Sequence, residues 1–169
     1  ADCQHADKED IIEGGRTRYY RAAVTKLSRA VHAFIEENQV KCVIQLGDCI
    51  DGNLNESKTK QDLERIAVQL DRLQNEGKKI PCHSVLGNHC LSLSRDTLLK
   101  RLQMPASYYA VQLTSNEDEV QWKLVVCDSN DLSLNWPQDH PKRIEAEAFL
   151  ENVKKTCFGP HPQLTRWNG

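Results

Sequence analysis

The sequence predicts an α/β fold, with helices flanking a mixed, largely parallel sheet. Short apolar, β-branched runs alternate with stretches of helical periodicity, and the two clearest runs each stop at a glycine followed by polar residues. Alternating strands and helices imply βαβ crossovers and therefore a parallel sheet covered on both faces. Ligands of such sheets gather at the carboxyl ends of the strands.

Taken in order, Asp10 to Thr17 reads as a loop without an aromatic side chain. Tyr20, Ala23, Val24, Leu27, Ala30, Val31, Phe34 and Ile35 then recur at three- and four-residue steps, the pattern of a helix with one face on a core. Lys41 to Leu46 is short, β-branched and stopped by Gly47, a buried strand by its pattern. Asn55 to Thr59 reads as a polar loop, and Leu63, Ile66, Leu70 and Leu73 form a second helical stripe that Gly77 ends. Cys82 to Leu86 is the next strand, stopped by Gly87, and Arg95 to Leu102 a short helix closed by Pro105. Tyr108 to Leu113 and Val120 to Cys127 read as strands joined by an acidic turn. Lys142 to Thr156 reads as a last helix, with Ile144, Ala148 and Phe149 apolar.

Composition narrows the function. With 24 acidic and 22 basic residues in 169, the net charge of −2 offers no electrostatic basis for nucleic acid or an anionic membrane as partner. No apolar run approaches the ~18–20 residues that span a bilayer. Seven cysteines contain no C-x-x-C pair, which argues against a zinc ribbon or a thioredoxin-like motif. Reduced thiols in a cytoplasmic setting are the expectation.

Three polar clusters follow, or should follow, a strand: Asp2-Cys3-Gln4-His5, Gly47-Asp48-Cys49-Ile50-Asp51-Gly52 and Gly87-Asn88-His89. Each alone is weak, because aspartate after a strand often caps a turn. In this order, with a helix between successive strands, carboxylate, carboxamide and imidazole can converge on a pair of divalent metals. Such a pair activates water and holds a phosphoryl group for in-line attack. Asp48 is the central candidate because a shared carboxylate can serve both metals.

The order D-x-Q, G-D-x-x-D-G, G-N-H resembles the calcineurin-like metallophosphoesterase superfamily. Asp2-Cys3-Gln4 with Ala6-Asp7, Arg18-Tyr19-Tyr20-Arg21, Gly87-Asn88-His89-Cys90 and Trp136-Pro137-Gln138-Asp139-His140-Pro141 narrow it to manganese-dependent ADP-ribose/CDP-alcohol diphosphatases. The resemblance implies a metallophosphoesterase-type sandwich over 1–169 as one domain, acting on a small-molecule nucleoside-diphosphate substrate and yielding two monophosphates. It implies Asp2, Gln4, Asp48 and Asn88 as metal ligands, manganese as the metal with magnesium as the substitute, and His89 beside the scissile phosphate.

The family also takes histidines from a G-H and a later G-H-x-H segment. Here His140 and His161 each precede proline, and only Ala1 stands where the first strand should precede Asp2. The expectation is therefore an N-terminal portion with an incomplete metal site. Two alternatives stay open: a non-catalytic fragment or interaction module, and a phosphomonoesterase or phosphodiesterase of the same superfamily. His5 is expected at the surface or in a loop, Asp51 as support for the loop after its strand, and Cys49 and Cys90 as packing residues. Arg18 and Arg21 are expected on the solvated face of a helix, Trp136 as a packing element, and Asp128 either in the cleft or holding a loop.

Overall fold

The computed structural model describes residues 3–114 and 121–158. Its elements are β1 (Ile11–Glu13), β2 (Arg16–Arg18), α1 (Ala22–Glu36), β3 (Val43–Gln45), α2 (Glu56–Asn75), β4 (Cys82–Ser84), a 3-10 turn at His89–Ser92, α3 (Arg95–Arg101), β5 (Tyr109–Thr114), β6 (Gln121–Val126) and α4 (Pro141–Val153). The chain divides into two compact units, Ala1–Asp128 and Ser129–Gly169. No helix among the described residues is long and apolar enough to cross a membrane.

The first unit is α/β. Strands β3 and β4 pair in parallel, with Val43 opposite Cys82 and Gln45 opposite Ser84. The crossover between them is α2. Segment 4–6 runs alongside through a parallel bridge between His5 and Ile50. The expected larger sheet is resolved as this parallel pair, a β1–β2 hairpin and an antiparallel β5–β6 ribbon. The acidic turn joining β5 to β6 lies outside the described residues.

The core follows the helical stripes. Val31 of α1 and Leu63, Ile66, Leu70 and Leu73 of α2 are buried with Ile80, Leu86, Leu98 and Met104. Helix α2 starts at Glu56, inside the expected polar loop, because the Asn55 side chain accepts the Lys58 N–H at 3.0 Å and caps the first turn. Gly77 stands just past its end, as expected.

Four expectations need correction. The stretch Asp10–Thr17 contains a hairpin: Gly14 and Gly15, at φ 57° and 75°, make the two-residue turn with both residues left-handed that suits the twist of paired strands. The strand Lys41–Leu46 is not buried throughout. Its alternation puts Val43 and Gln45 toward the core and leaves Ile44 39% and Leu46 69% exposed, so only one face of the pair is covered. Arg18 to Arg21 are not helical; Arg18 closes β2 and α1 begins at Ala22. On α4, Ile144, Ala148 and Phe149 are exposed and Ala146 is buried instead.

In the second unit, Trp136 and its neighbours secure the start of α4. The His140 ring nitrogen Nδ1 accepts the Lys142 N–H, Pro141 occupies the first helical position, and Trp136 stacks on His140 with centroids 4.1 Å apart. Trp136 is thus a packing element, as its sequence context suggested.

Candidate functional site

The site residues sit on three loops that leave parallel-running segments. Buried Gln45 shapes the first loop: its amide donates to the Gly47 carbonyl at 2.5 Å and accepts the Gly47 N–H at 3.0 Å. Both ends of a polar side chain inside an apolar strand are thereby hydrogen-bonded. Asp48 follows at φ 45°, a left-handed conformation that costs a non-glycine residue roughly 1–3 kcal/mol. Gln4, at φ 41°, donates its N–H to the Asp48 carbonyl at 2.7 Å, so two strained residues hold each other.

The Gly87 loop closes on Asp48 from the other side. A Cβ added at Gly87 would lie 2.1 Å from Asp48 Oδ1, and one at Gly47 would lie 2.9 Å from the Gly87 nitrogen. Only glycines allow this approach. It lets the His89 N–H donate to Asp48 Oδ1 at 2.8 Å. Asn88 is exposed at the start of the 3-10 turn, where its carbonyl accepts the Leu91 N–H at 3.2 Å.

The structure therefore brings Gln4, Asp48, Asn88 and His89 together at the ends of neighbouring segments. Asp2 lies outside the described residues. The oxygens on offer, one carboxylate and two carboxamides, are the hard donors that divalent manganese or magnesium takes. Among the described residues no group of three or more histidine, cysteine, aspartate or glutamate side chains gathers around one point. The donor chemistry of Gln4, Asp48 and Asn88 fits a hard divalent cation.

Two residues, Asp51 and Lys8, stand behind His89, and only Lys8 escaped the sequence reading altogether. His89 Nδ1 lies 3.0 Å from Asp51 Oδ1, at ion-pair distance but outside hydrogen-bond alignment, and that buried oxygen has no hydrogen-bond partner. Asp51 Oδ2 pairs with Lys8 Nζ, which also donates to the Gly52 carbonyl at 3.3 Å and lies 4.3 Å above the Tyr20 ring. Asp51 is a loop support, as expected, and a neighbour of His89 as well. Asp51 was visible in the D-x-x-D spacing; nothing local marks Lys8, 43 residues away in the chain.

His5 corrects its expectation. It is 2% exposed, with Nδ1 at 3.0 Å from the Tyr20 carbonyl and Nε2 at 3.6 Å from Asp62 Oδ1. Since a carbonyl can only accept, Nδ1 carries the proton, and His5 ties the first segment to Tyr20, just ahead of α1. Asp128 also holds structure: its buried carboxylate accepts from Arg95 Nε at 2.8 Å.

Beside the loops lies an open cavity of about 500 Å³ lined in part by Lys8, Asn53, Lys58, Asp7 and Arg21. Asp7 accepts from Arg21 and Arg65, each at 2.8 Å, and the Arg21 contact first and Arg65 second hold its carboxyl down at about 2. Arg18 Nη1 lies 3.4 Å from Gln4 Oε1 and its Nη2 3.0 Å from Glu13.

The calcineurin-like phosphoesterase profile matches residues 10–163. The chain belongs to this family. Calcineurin-like phosphoesterases similar to it include a manganese-dependent ADP-ribose/CDP-alcohol diphosphatase from Homo sapiens, 40% identical over 197 aligned positions that take in 100% of this chain and 55% of the relative. The protein of the same name from Oryza sativa subsp. japonica is 33% identical over 162 positions, 89% of this chain and 46% of the relative. Among solved structures, a dimetal phosphatase from Danio rerio superposes with a TM-score of 0.70 at 28% identity, covering 92% of this chain and 51% of that one. The α/β reading of the fold stands on that likeness. The chain spans about half the length of these curated relatives.

Proposed function

We propose that this chain carries the core of a metal-dependent hydrolase that splits the diphosphate linkage of nucleoside-diphosphate compounds into two monophosphates. The observation that carries the reading is Asp48, held in a left-handed turn by Gln4 and aimed by the His89 N–H through the gap at Gly87. Strain of this kind is a common mark of a functional turn. ADP-ribose and CDP-alcohols are the proposed substrates and manganese the proposed metal, both on the strength of the relatives' names.

In this reading Gln4, Asp48 and Asn88, with Asp2, hold the cation by oxygen. When bound, it supplies Lewis-acid polarisation of the phosphoryl group and makes water a better nucleophile. The chain's own residues do the rest. His89 presents Nδ1 to Asp51, which leaves Nε2 as the atom to meet substrate. As water attacks one phosphorus and the bond to the bridging oxygen breaks, His89 passes a proton from Nε2 to the departing phosphate. Asp51 Oδ1, 3.0 Å from Nδ1, fixes which edge of the ring faces the substrate, and Lys8 holds that carboxylate in place. Lys58, in the lining of the cavity beside the loops, offers positive charge to the remaining phosphate.

The test is hydrolysis of ADP-ribose and CDP-choline by the 169-residue chain with manganese, compared with His89→Ala. Release of AMP and ribose 5-phosphate from ADP-ribose, slowed about 10²–10⁴-fold by the substitution, is expected. Turnover unchanged in His89→Ala, or none in the parent chain, counts against the reading.

A further inference from the structure

Cys49 and Cys90 remain unaccounted for by any role in hydrolysis. Their sulfurs lie 3.8 Å apart, both residues are fully buried, and 41 residues separate them in the chain. Each is the immediate neighbour of a site residue, Cys49 of Asp48 and Cys90 of His89. None of the described cysteines is in a disulfide.

We propose that Cys49 and Cys90 are an oxidation site whose reversible disulfide displaces Asp48 and His89. A disulfide has its sulfurs about 2.05 Å apart, so roughly 1.8 Å must be closed. Side-chain rotation is limited because both thiols sit in packed surroundings with no accessible surface. The backbones offer little slack either. The two loops already meet at Gly47 and Gly87, and the Cys90 carbonyl is held by the Leu93 N–H at 3.1 Å. The displacement therefore passes to the residues next in the chain. A shift of about 1 Å at a catalytic group is enough to slow a reaction about 100-fold.

Burial selects the oxidant. With no accessible surface at either sulfur, oxidation proceeds through a transient local opening of the two loops, which admits a small peroxide before a bulky disulfide. One thiol attacks a peroxide oxygen, becoming a sulfenic acid as the O–O bond breaks and water leaves. The second thiol attacks the sulfenic sulfur, forming the S–S bond and releasing a second water. Two thiols lose two electrons and two protons in total, hydrogen peroxide is reduced to two waters, and a dithiol reverses the change.

The experiment treats the full chain with hydrogen peroxide, blocks remaining thiols after denaturation, and maps linked peptides by mass spectrometry. A Cys49–Cys90 peptide with two hydrogens lost, cleared by dithiothreitol, is expected. The ring resonances of His89 should move on oxidation and return on reduction. A Cys49→Ala/Cys90→Ala double variant, its fold checked by circular dichroism, should show neither effect. Finding both cysteines alkylated while exposed Cys127 has reacted would overturn the proposal, as would pairing with another cysteine or a linked pair with unmoved His89 resonances. The loss of hydrolysis, about 100-fold and thiol-reversible, rests on the proposed function. If the reduced chain does not hydrolyse, that reading fails alone, since mapping and resonances still decide this one.

Discussion

At the scale of single residues, the absence of a side chain at Gly87 matters as much as any functional group. A methyl group there would lie 2.1 Å from Asp48 Oδ1 and 2.4 Å from the Asp48 nitrogen, neither of which can yield without breaking the turn. Gly87→Ala should therefore expel the Asp48 carboxylate and lose the bond from the His89 N–H. Manganese affinity measured calorimetrically should fall at least tenfold while circular dichroism stays native. Unaltered affinity would mean that Asp48 does not hold the metal. Asp7 offers a separate check by pH. Its carboxyl is lowered from 3.8 to about 2, by Arg21 first and Arg65 second. A depressed folded-state value stabilises the fold above the unfolded value, and the gain is lost as pH falls through the folded one. The Asp7 carboxyl resonance should accordingly titrate near 2, and Arg21→Gln should move it back toward the usual carboxylate range. Because the pair is exposed, added salt should weaken the effect.

At the scale of elements, α2 connects the sheet to the site, since the β3 loop feeds into it and its apolar stripe fills the core. Its start depends on Asn55, whose side chain accepts the Lys58 N–H. Asn55→Ala should cost about 1 kcal/mol in urea denaturation, with an unchanged m-value. This helix also shows what local pattern can carry. The Leu63–Leu73 stripe announced its body, but its first turn has no apolar residue, so periodicity alone placed the start too late. The β1–β2 hairpin escaped for a related reason: its strands are three residues each and exposed throughout, leaving Gly14-Gly15 as the only mark. The exposure of Ile44 and Leu46 is invisible in the sequence because β-branched strands read alike whether one face or both are covered. The placement of Asp48, Asn88 and His89 on loops past strands was legible because each lies just beyond an apolar run that stops at a glycine. The Lys8–Asp51–His89 arrangement was not, since it joins residues about 40 positions apart that no local pattern relates.

At the scale of the whole molecule, the described site residues all fall in the unit Ala1–Asp128. Gln4, Asp48 and Asn88 lie on loops that only the folded sheet brings together, so the unfolded chain presents no equivalent donor set. A cation held there binds the folded state selectively and must stabilise it. At a concentration 100 times its dissociation constant, the gain is about 2.7 kcal/mol. For a protein of this size each kcal/mol raises the melting temperature by about 2–4 °C, so manganese should shift the transition by about 5–11 °C, and a chelator should abolish the shift. Asp48→Asn keeps the shape of the side chain but removes its charge, and should lose most of the shift. Three carboxamides would then face the cation without a carboxylate at the centre. Equal shifts in both proteins would place the metal on unrelated surface carboxylates. A shift in the parent chain alone would tie binding to the strained turn at Asp48, whatever substrate the site serves.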